Sequence, residues 1–99
     1  MNETKKLLYL DELKNELGYI EYSEDEKTIT LLKTYVYKEG RGKGIAKILN
    51  DQFFSKFENT TKNIIIKCTY SISYYEKNIE SLKNMNISIS TDAINECNL

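Results

Sequence analysis

The chain has 99 residues, 40% of them hydrophobic and 29% charged, with a formal net charge of −1. These values fit one globular domain rather than a disordered segment, and they exclude the broadly basic surface of a general nucleic-acid binder. No apolar stretch approaches the ~20 residues of a membrane-spanning helix, and the N-terminus lacks the ~7–15-residue apolar core of a secretion signal. We therefore predict a single domain over residues 1–99, located in the cytoplasm and away from the membrane.

The first half of the chain reads as three strands. Residues Leu7–Leu10 form a short apolar run that suits an edge strand. Two longer runs rich in aromatic and β-branched residues follow, Gly18–Tyr22 and Thr28–Tyr37, separated by the polar residues 23–27. Two such runs across a five-residue turn predict an antiparallel hairpin.

The second half alternates helix and strand. After a glycine-rich turn, apolar residues recur at helical spacing: Ile45, Ile48, Leu49, Phe53, Phe54 and Phe57. The isoleucine run within Lys62–Cys68 predicts a buried strand. A second helix follows, with Thr69 or Ser71 as its cap and one face formed by Ile72, Tyr75, Ile79 and Leu82. Residues Asn86–Ser90 alternate polar and apolar and favour a closing strand, so the fold class is α/β (α+β), a mixed sheet with two helices.

The glycine-rich turn is the strongest indication of a binding site. Gly40, Gly42 and Gly44 fall within five residues, between a predicted strand and a predicted helix. Free N–H groups at a helix N-terminus and the helix dipole both favour a phosphate there, and glycine lets the backbone approach it closely. Residues 38–50 also carry a local charge of +3, against −4 for the remainder, which suits a compact anion. The alternative is a turn that merely connects strand to helix.

Spacing narrows the phosphate ligand. A Walker A loop requires Ser or Thr after Gly-Lys, but Gly42-Lys43 is followed by Gly44. The dinucleotide fingerprint G-x-G-x-x-G also fails, because Ile45 occupies its third glycine position. The segment instead fits R-x-x-G-x-A, with Arg41, Gly44 and Ala46, which resembles the pyrophosphate signature of the GNAT acetyltransferases.

The resemblance extends to the short, single-domain branch of the GNAT superfamily, over roughly residues 17–80. That branch has a strand ending His-Thr-Glu-Val-Pro before a loop ending Arg-Gly-x-Gly-Ile-Ala. Here residues 33–37 read Lys-Thr-Tyr-Val-Tyr and residues 41–46 read Arg-Gly-Lys-Gly-Ile-Ala, and the two patterns align without a gap. Downstream, the branch's Cys-Pro-Tyr-x-x-x-Tyr is similar to the segment 68–74, Cys-Thr-Tyr-Ser-Ile-Ser-Tyr. The upstream hairpin sequence Gly-Tyr-Ile-Glu-Tyr matches as well.

The resemblance implies a mostly antiparallel mixed sheet that splays open beside residues 34–37, with acetyl-CoA or CoA in the gap. The implied cofactor-binding residues are Tyr35, Val36, Tyr37, Arg41, Gly42, Lys43, Gly44, Ile45, Ala46 and Cys68. Two departures stand out, because Tyr35 replaces the branch's glutamate and Lys33 its histidine. If that glutamate is the base for an amine, this protein uses another group or catalyses little.

Three residues are candidates for the chemistry of acetyl transfer. Tyr74 or Tyr75 would protonate the leaving sulfur, although tyrosines on an apolar face usually only pack. Cys68, at a strand end before a helix, would attack the thioester as a thiolate or simply line the site. Glu21 and Glu39 are the carboxylates available as a base. No metal site is expected, since Cys68 and Cys97 lack metal-ligand spacing and the chain has no histidine; both cysteines are expected to be free thiols.

Three functions remain open at this stage. The first is acetyl transfer to a small-molecule or protein amine by a monomer or weak dimer. The second is a CoA-binding sensor or regulatory module without efficient turnover, which the absence of the glutamate favours. The third, a nucleotide or RNA binder using residues 38–47, has the least support because the chain offers no wider basic surface.

Overall fold

A computed structural model describes residues 3–94. The strands are β1 (Thr4–Leu10), β2 (Glu16–Glu24), β3 (Thr28–Val36), β4 (Asn63–Cys68) and β5 (Ile87–Ile94). The helices are α1 (Ile45–Lys56), α2 (Thr69–Lys77) and the single turn α3 (Ile79–Leu82), with a 3₁₀ turn at Lys38–Gly40. The strands form one sheet in the order β1-β2-β3-β4-β5. The predicted mixed α/β fold is confirmed.

The sheet contains both antiparallel and parallel strand pairs. β1, β2 and β3 form an antiparallel meander, whereas β4 runs parallel to β3, and β5 runs parallel to β4. The two antiparallel strand pairs align more residues than the two parallel ones, so the expectation of a mixed, mostly antiparallel sheet is confirmed. Helix α1 crosses from β3 to β4, and α2 with α3 crosses from β4 to β5. A helical crossover of this kind joins parallel neighbours.

The hydrophobic core lies between one face of the sheet and helices α1 and α2. Along β2 and β4 every second side chain is buried, and the buried ones point at the helices. The ring of Tyr22 meets those of Phe53 and Phe57 edge-on, with centroids 5.5 and 5.6 Å apart. Edge-to-face pairs contribute about 0.5–1.5 kcal/mol beyond their area. The core thus fixes α1 on the sheet along most of its length.

A ring of three buried polar side chains joins β3 to both helices. Ser71 Oγ donates to Asn50 Oδ1 at 2.6 Å, and Asn50 Nδ2 donates to Thr34 Oγ1 at 3.4 Å. Because the single hydroxyl proton of Ser71 is used, the 3.1 Å contact between Thr34 and Ser71 has Thr34 as donor. All three side chains are fully buried. The ring is closed, so each member both donates and accepts.

Two details of α2 differ from the sequence prediction. The residue before the helix is Cys68, and no side chain caps it, so neither Thr69 nor Ser71 is the cap. The helix also ends at Lys77 instead of running on to Leu82, because Asn78 is its C-cap and the Asn78 side chain donates to the Tyr74 carbonyl at 2.8 Å. Leu82 is buried, but Ile79 is half-exposed and does not share its environment.

Candidate functional site

β3 and β4 separate before β3 ends. Their register runs from Thr28 and Asn63 to Leu31 and Ile66 and goes no further, although β3 continues to Val36. Tyr37 N–H donates to Leu17 on the β2 side, so strand alternation directs the backbone groups of Val36 toward β4. The edge of β3 beyond Leu31 therefore faces a gap in the sheet.

The glycine-rich turn closes one end of this gap. Gly42 and Gly44 have φ angles of +81° and +74°, which glycine adopts without the Cβ penalty. A Cβ at either residue would meet nothing within 4 Å, so space lies open above the turn. Arg41 Nε donates to the Val36 carbonyl at 3.1 Å and ties the turn to the end of β3.

Helix α1 begins at this turn, and the backbone N–H groups of its first turn are available as hydrogen-bond donors. Its first backbone hydrogen bond runs from Ile48 N–H to Gly44 O at 3.1 Å, and Gly44 provides no side-chain cap. Among the described residues, no backbone carbonyl accepts from the N–H groups of residues 45–47. These donors and the positive end of the helix dipole favour an anion above Gly42 and Gly44.

Two small adjoining hollows form a groove that runs from β3 past this turn to α2. The first, about 170 Å³, is lined by Val36, Tyr70 and residues of the turn, and the second, about 140 Å³, extends to Ser73 and Lys77. Tyr70 and Lys47 line both. The groove carries the cationic side chains of Arg41, Lys47 and Lys77 and no carboxylate among its lining residues, so it suits phosphate groups.

Larger hollows elsewhere present carboxylates instead. One of about 460 Å³ beside β1 includes Asp11 and Glu12, and one of about 270 Å³ near the end of α1 includes Asp51 and Glu58. Negative charge at these places disfavours an anionic ligand. The groove at the turn is therefore the better candidate, despite its smaller volume.

The predicted cofactor-binding residues divide between two faces of the sheet. Val36 is buried and lines the groove together with Arg41 and Ala46. Lys43 is exposed on the turn but lines the hollow beside β1. Tyr35 and Tyr37 extend to the opposite face, where their ring centroids lie 5.1 Å apart. Tyr37 donates to Glu16 at 2.7 Å, and this bond, aided by desolvation, raises the pKa of Tyr37 to about 12.

Cys68 lies fully buried at the end of β4 and does not carry a free thiol. Its sulfur is disulfide-bonded, so the expectation of free cysteines is wrong at this position. The sequence pattern did not anticipate that β5 runs parallel to β4 and places Ile94 opposite Cys68. Cys97 lies outside the described residues. A disulfide sulfur is not a nucleophile, so a covalent role for Cys68 stays a prediction that requires prior reduction.

Tyr74 bridges the two long helices. Its hydroxyl donates to Asp51 Oδ1, and its ring stacks on Phe54 with an interplanar angle of 5°. Desolvation and the bond to Asp51 raise the pKa of Tyr74, which makes it a weaker acid. Desolvation opposes ionisation of Asp51, but hydrogen bonds from Tyr74 and Lys47 outweigh it and lower the pKa of Asp51. Protonation of a leaving sulfur by Tyr74 stays a prediction, at the cost of breaking this bond.

Tyr75 and the candidate bases are not drawn into the groove. Tyr75 is half-buried and packs against the core. Glu21 lies on the sheet face opposite the helices, and Glu39 is exposed in the 3₁₀ turn. Sequence analysis missed Tyr70 and Lys77 as lining residues. Tyr70 lies two residues after the predicted strand end, a position from which a side chain can reach the groove.

Comparison with known proteins agrees with this geometry. Residues 7–85 match the family model described as GCN5-related N-acetyl-transferase. A search of curated proteins finds no match. Within residues 3–94, no cluster of three or more potential metal-ligating side chains occurs, and no helix there is long and apolar enough to cross a membrane.

Proposed function

The chain belongs to the GCN5-related N-acetyltransferase family, and on this premise we propose that it binds acetyl-CoA beside the Arg41–Ala46 turn and transfers the acetyl group to an amine. The observation that carries the proposal is the separation of β3 from β4 next to a glycine-rich turn that opens a helix. The two features meet at Val36, which belongs to the strand edge and accepts the hydrogen bond from Arg41.

The turn has the chemistry for a pyrophosphate. In the described part of the chain, no backbone acceptor pairs with the N–H groups of residues 45–47, and the space where a Cβ of Gly42 or Gly44 would lie is open. Arg41 and Lys77 supply positive charge along the groove, and Lys47 lines it while paired with Asp51 at 2.9 Å. Charge-assisted hydrogen bonds to phosphate are roughly twice as strong as neutral ones. These residues would hold the phosphate groups of the cofactor.

The strand edge has the chemistry for the remainder of the cofactor and its thioester. Val36 directs its backbone N–H toward the gap, and its side chain forms an apolar wall there with Ile45 and Ala46. Acetyl-CoA supplies an acyl group already activated as a thioester. A backbone N–H held on a rigid strand polarises a carbonyl without reorganising, which is how Val36 would act.

Isothermal titration tests the cofactor site. Arg41→Gln removes a charge beside the turn and the bond to Val36, so acetyl-CoA affinity is expected to fall roughly 10-fold or more, as for hydrogen bonds to charged groups. Lys27→Gln, an exposed change in the β2–β3 turn, is the matched control. Equal affinities for the two variants would contradict the proposed location.

A CoA-binding module without turnover is the second candidate function. The observation that favours it is the position of Tyr35, which stands where the resemblance expects a glutamate and whose ring packs with Tyr19 and Tyr37. Release of CoA thiol during incubation with acetyl-CoA and a panel of amines separates the two. Amine-dependent release identifies a transferase, whereas binding without release identifies a module.

A further inference from the structure

One face of the sheet has no helix packed on it among the described residues. Helices α1 and α2 both lie on the other face, where Asn50 and Ser71 meet Thr34. The alternate side chains of β2, β3 and β4 are only half-buried. We call this surface the open face, and its outward residues that matter here are Lys6, Tyr19, Glu21, Lys33, Tyr35 and Lys67.

Three tyrosine rings form a platform on the open face. Tyr19 lies 5.7 Å from Tyr35 and 6.1 Å from Tyr37, centroid to centroid, and Tyr35 lies 5.1 Å from Tyr37. The hydrogen bond from Tyr37 to Glu16 fixes the third ring. The rings are inclined to one another by 34°, 57° and 79°, so the platform is an aromatic corner, not a flat surface, and a planar apolar group can pack against its ring faces and edges at little entropic cost.

Within residues 3–94, the lysines beside the platform have no carboxylate partner. Lys6 Nζ lies 4.4 Å from the Tyr19 centroid, and Lys33 Nζ lies 5.5 Å from the Tyr35 centroid. Among the described residues, neither of them, nor Lys67, has a carboxylate oxygen within 4.0 Å of its Nζ. Glu21 is the carboxylate across the ladder from Lys6 and Lys33, so positive charge exceeds negative charge among these residues.

The gap in the sheet opens between two of these lysines. Lys67 directly follows Ile66, the last residue of β4 paired to β3, and Lys33 lies two residues beyond Leu31. A molecule resting on the platform therefore reaches the gap with positive charge on both sides. A cationic ligand would be repelled by the lysines beside Tyr19 and Tyr35, whereas an anionic group would neutralise their charge.

From this arrangement we propose that the acceptor is a primary amine that also carries a carboxylate and a planar side chain, of which aromatic amino acids are the simplest class. The planar group lies on the three tyrosines, the carboxylate binds Lys33 and Lys67, and the amine faces the gap. This inference rests on the proposed function for its chemical step. In that step the amine nitrogen forms the C–N bond, the C–S bond breaks with its electron pair on sulfur, and one amine proton passes to the sulfur.

The test compares amines that differ only in the carboxylate. The pairs are tyrosine and tyramine, phenylalanine and phenethylamine, and tryptophan and tryptamine. Binding is mapped first by backbone-amide NMR shifts of the wild-type protein without cofactor, so the result does not depend on acetyl-CoA. The proposal predicts that the carboxylated members bind tighter and shift residues 19, 33, 35 and 67. Equal binding, preference for the decarboxylated members, shifts elsewhere or no binding at millimolar concentration would each overturn it.

Turnover with acetyl-CoA provides the second readout. The carboxylated members are expected to have kcat/KM roughly 10-fold higher, the scale of hydrogen bonds to a charged group. The double variant Lys33→Gln/Lys67→Gln should remove that preference, and Lys27→Gln should keep it. A preference retained by the double variant would overturn the assignment of the lysines. Amine binding on the open face without acetyl-CoA binding would contradict the proposed function alone. Acetyl transfer without a preference for the carboxylated amines would contradict this inference alone.

Discussion

Removing the Ser71 hydroxyl tests whether the buried polar ring holds β3 to the helices. Ser71→Ala leaves Asn50 Oδ1 without its 2.6 Å donor and the Thr34 hydroxyl without its acceptor. A buried group left unpaired costs about 1–3 kcal/mol, so the two together should lower the free energy of unfolding by about 2–6 kcal/mol. For a domain with a total of about 5–15 kcal/mol, that is a large fraction.

Urea unfolding followed by circular dichroism measures this loss. The urea concentration at the midpoint of unfolding should fall. The slope of the unfolding free energy against urea concentration should stay unchanged, because the surface exposed on unfolding is the same. Ser73→Ala, on the same helix but half-exposed, is the matched control and should stay within ~0.5 kcal/mol. A Ser71→Ala protein as stable as the Ser73→Ala protein would refute the closed ring.

A double substitution checks the same reasoning from another direction. Thr34→Val keeps the shape of the side chain and removes its hydroxyl, so combining it with Ser71→Ala removes both ends of one hydrogen bond. The loss in the double variant should be smaller than the sum of the two single losses, by about 0.5–3 kcal/mol, as is usual within one network. Strict additivity would mean that the two hydroxyls act independently.

Three further predictions concern the turn, one ion pair and the cysteine. Gly44→Ala should lower stability by about 1–2 kcal/mol in urea, because a φ of +74° strains alanine although its Cβ meets no atom. The hydrogen bond from Lys62 to Glu24 lowers the pKa of Glu24, so its contribution to stability is present above the ordinary value of 4.5 and is lost as the pH falls through the lower folded value. Glu24→Gln should therefore flatten the loss of stability with acid below that pH. Incubation with acetyl-CoA should leave Cys68 unmodified by mass spectrometry until the protein is reduced.

Each of these has a clear contrary result. An alanine at position 44 that leaves the urea midpoint unchanged would contradict the strained turn. A Glu24→Gln protein whose stability falls with acid as in the wild type would show that the ion pair contributes nothing to stability. The test is sharp because both side chains are partly exposed, and exposed ion pairs often contribute little. An acetyl adduct on Cys68 without reductant would contradict the oxidised sulfur.

Local patterns predicted most of the fold, because the spacing and type of apolar residues within a short segment indicate whether it forms a strand or a helix. The isoleucine run predicted β4, and the spacing of Phe53, Phe54 and Phe57 predicted α1, whose apolar face is buried as expected. The ends of the elements were less well predicted, since β2 begins at Glu16 and the second helix ends at Lys77. Asn78 ends its helix through a side-chain bond to Tyr74, a competition that propensity alone does not resolve.

The interactions that escaped prediction join residues far apart in sequence. Ser71 looked like a helix cap, but its partners Asn50 and Thr34 lie 21 and 37 residues away. The sequence indicates only part of the tyrosine platform, because Tyr35 and Tyr37 share a strand face by alternation. Tyr19 joins them through the β2–β3 register, which a hairpin turn of uncertain length does not fix.

Thermal unfolding with added ligands tests the central claim, a CoA site at the glycine-rich turn, most directly. A ligand at ~100 times its dissociation constant adds about 2.7 kcal/mol to the free energy of unfolding. For a domain of this size that raises Tm by roughly 10 °C or more. We expect such a rise with CoA and acetyl-CoA and little change with ATP. No rise with either CoA species at millimolar concentration, or an equal rise with ATP, would contradict the claim.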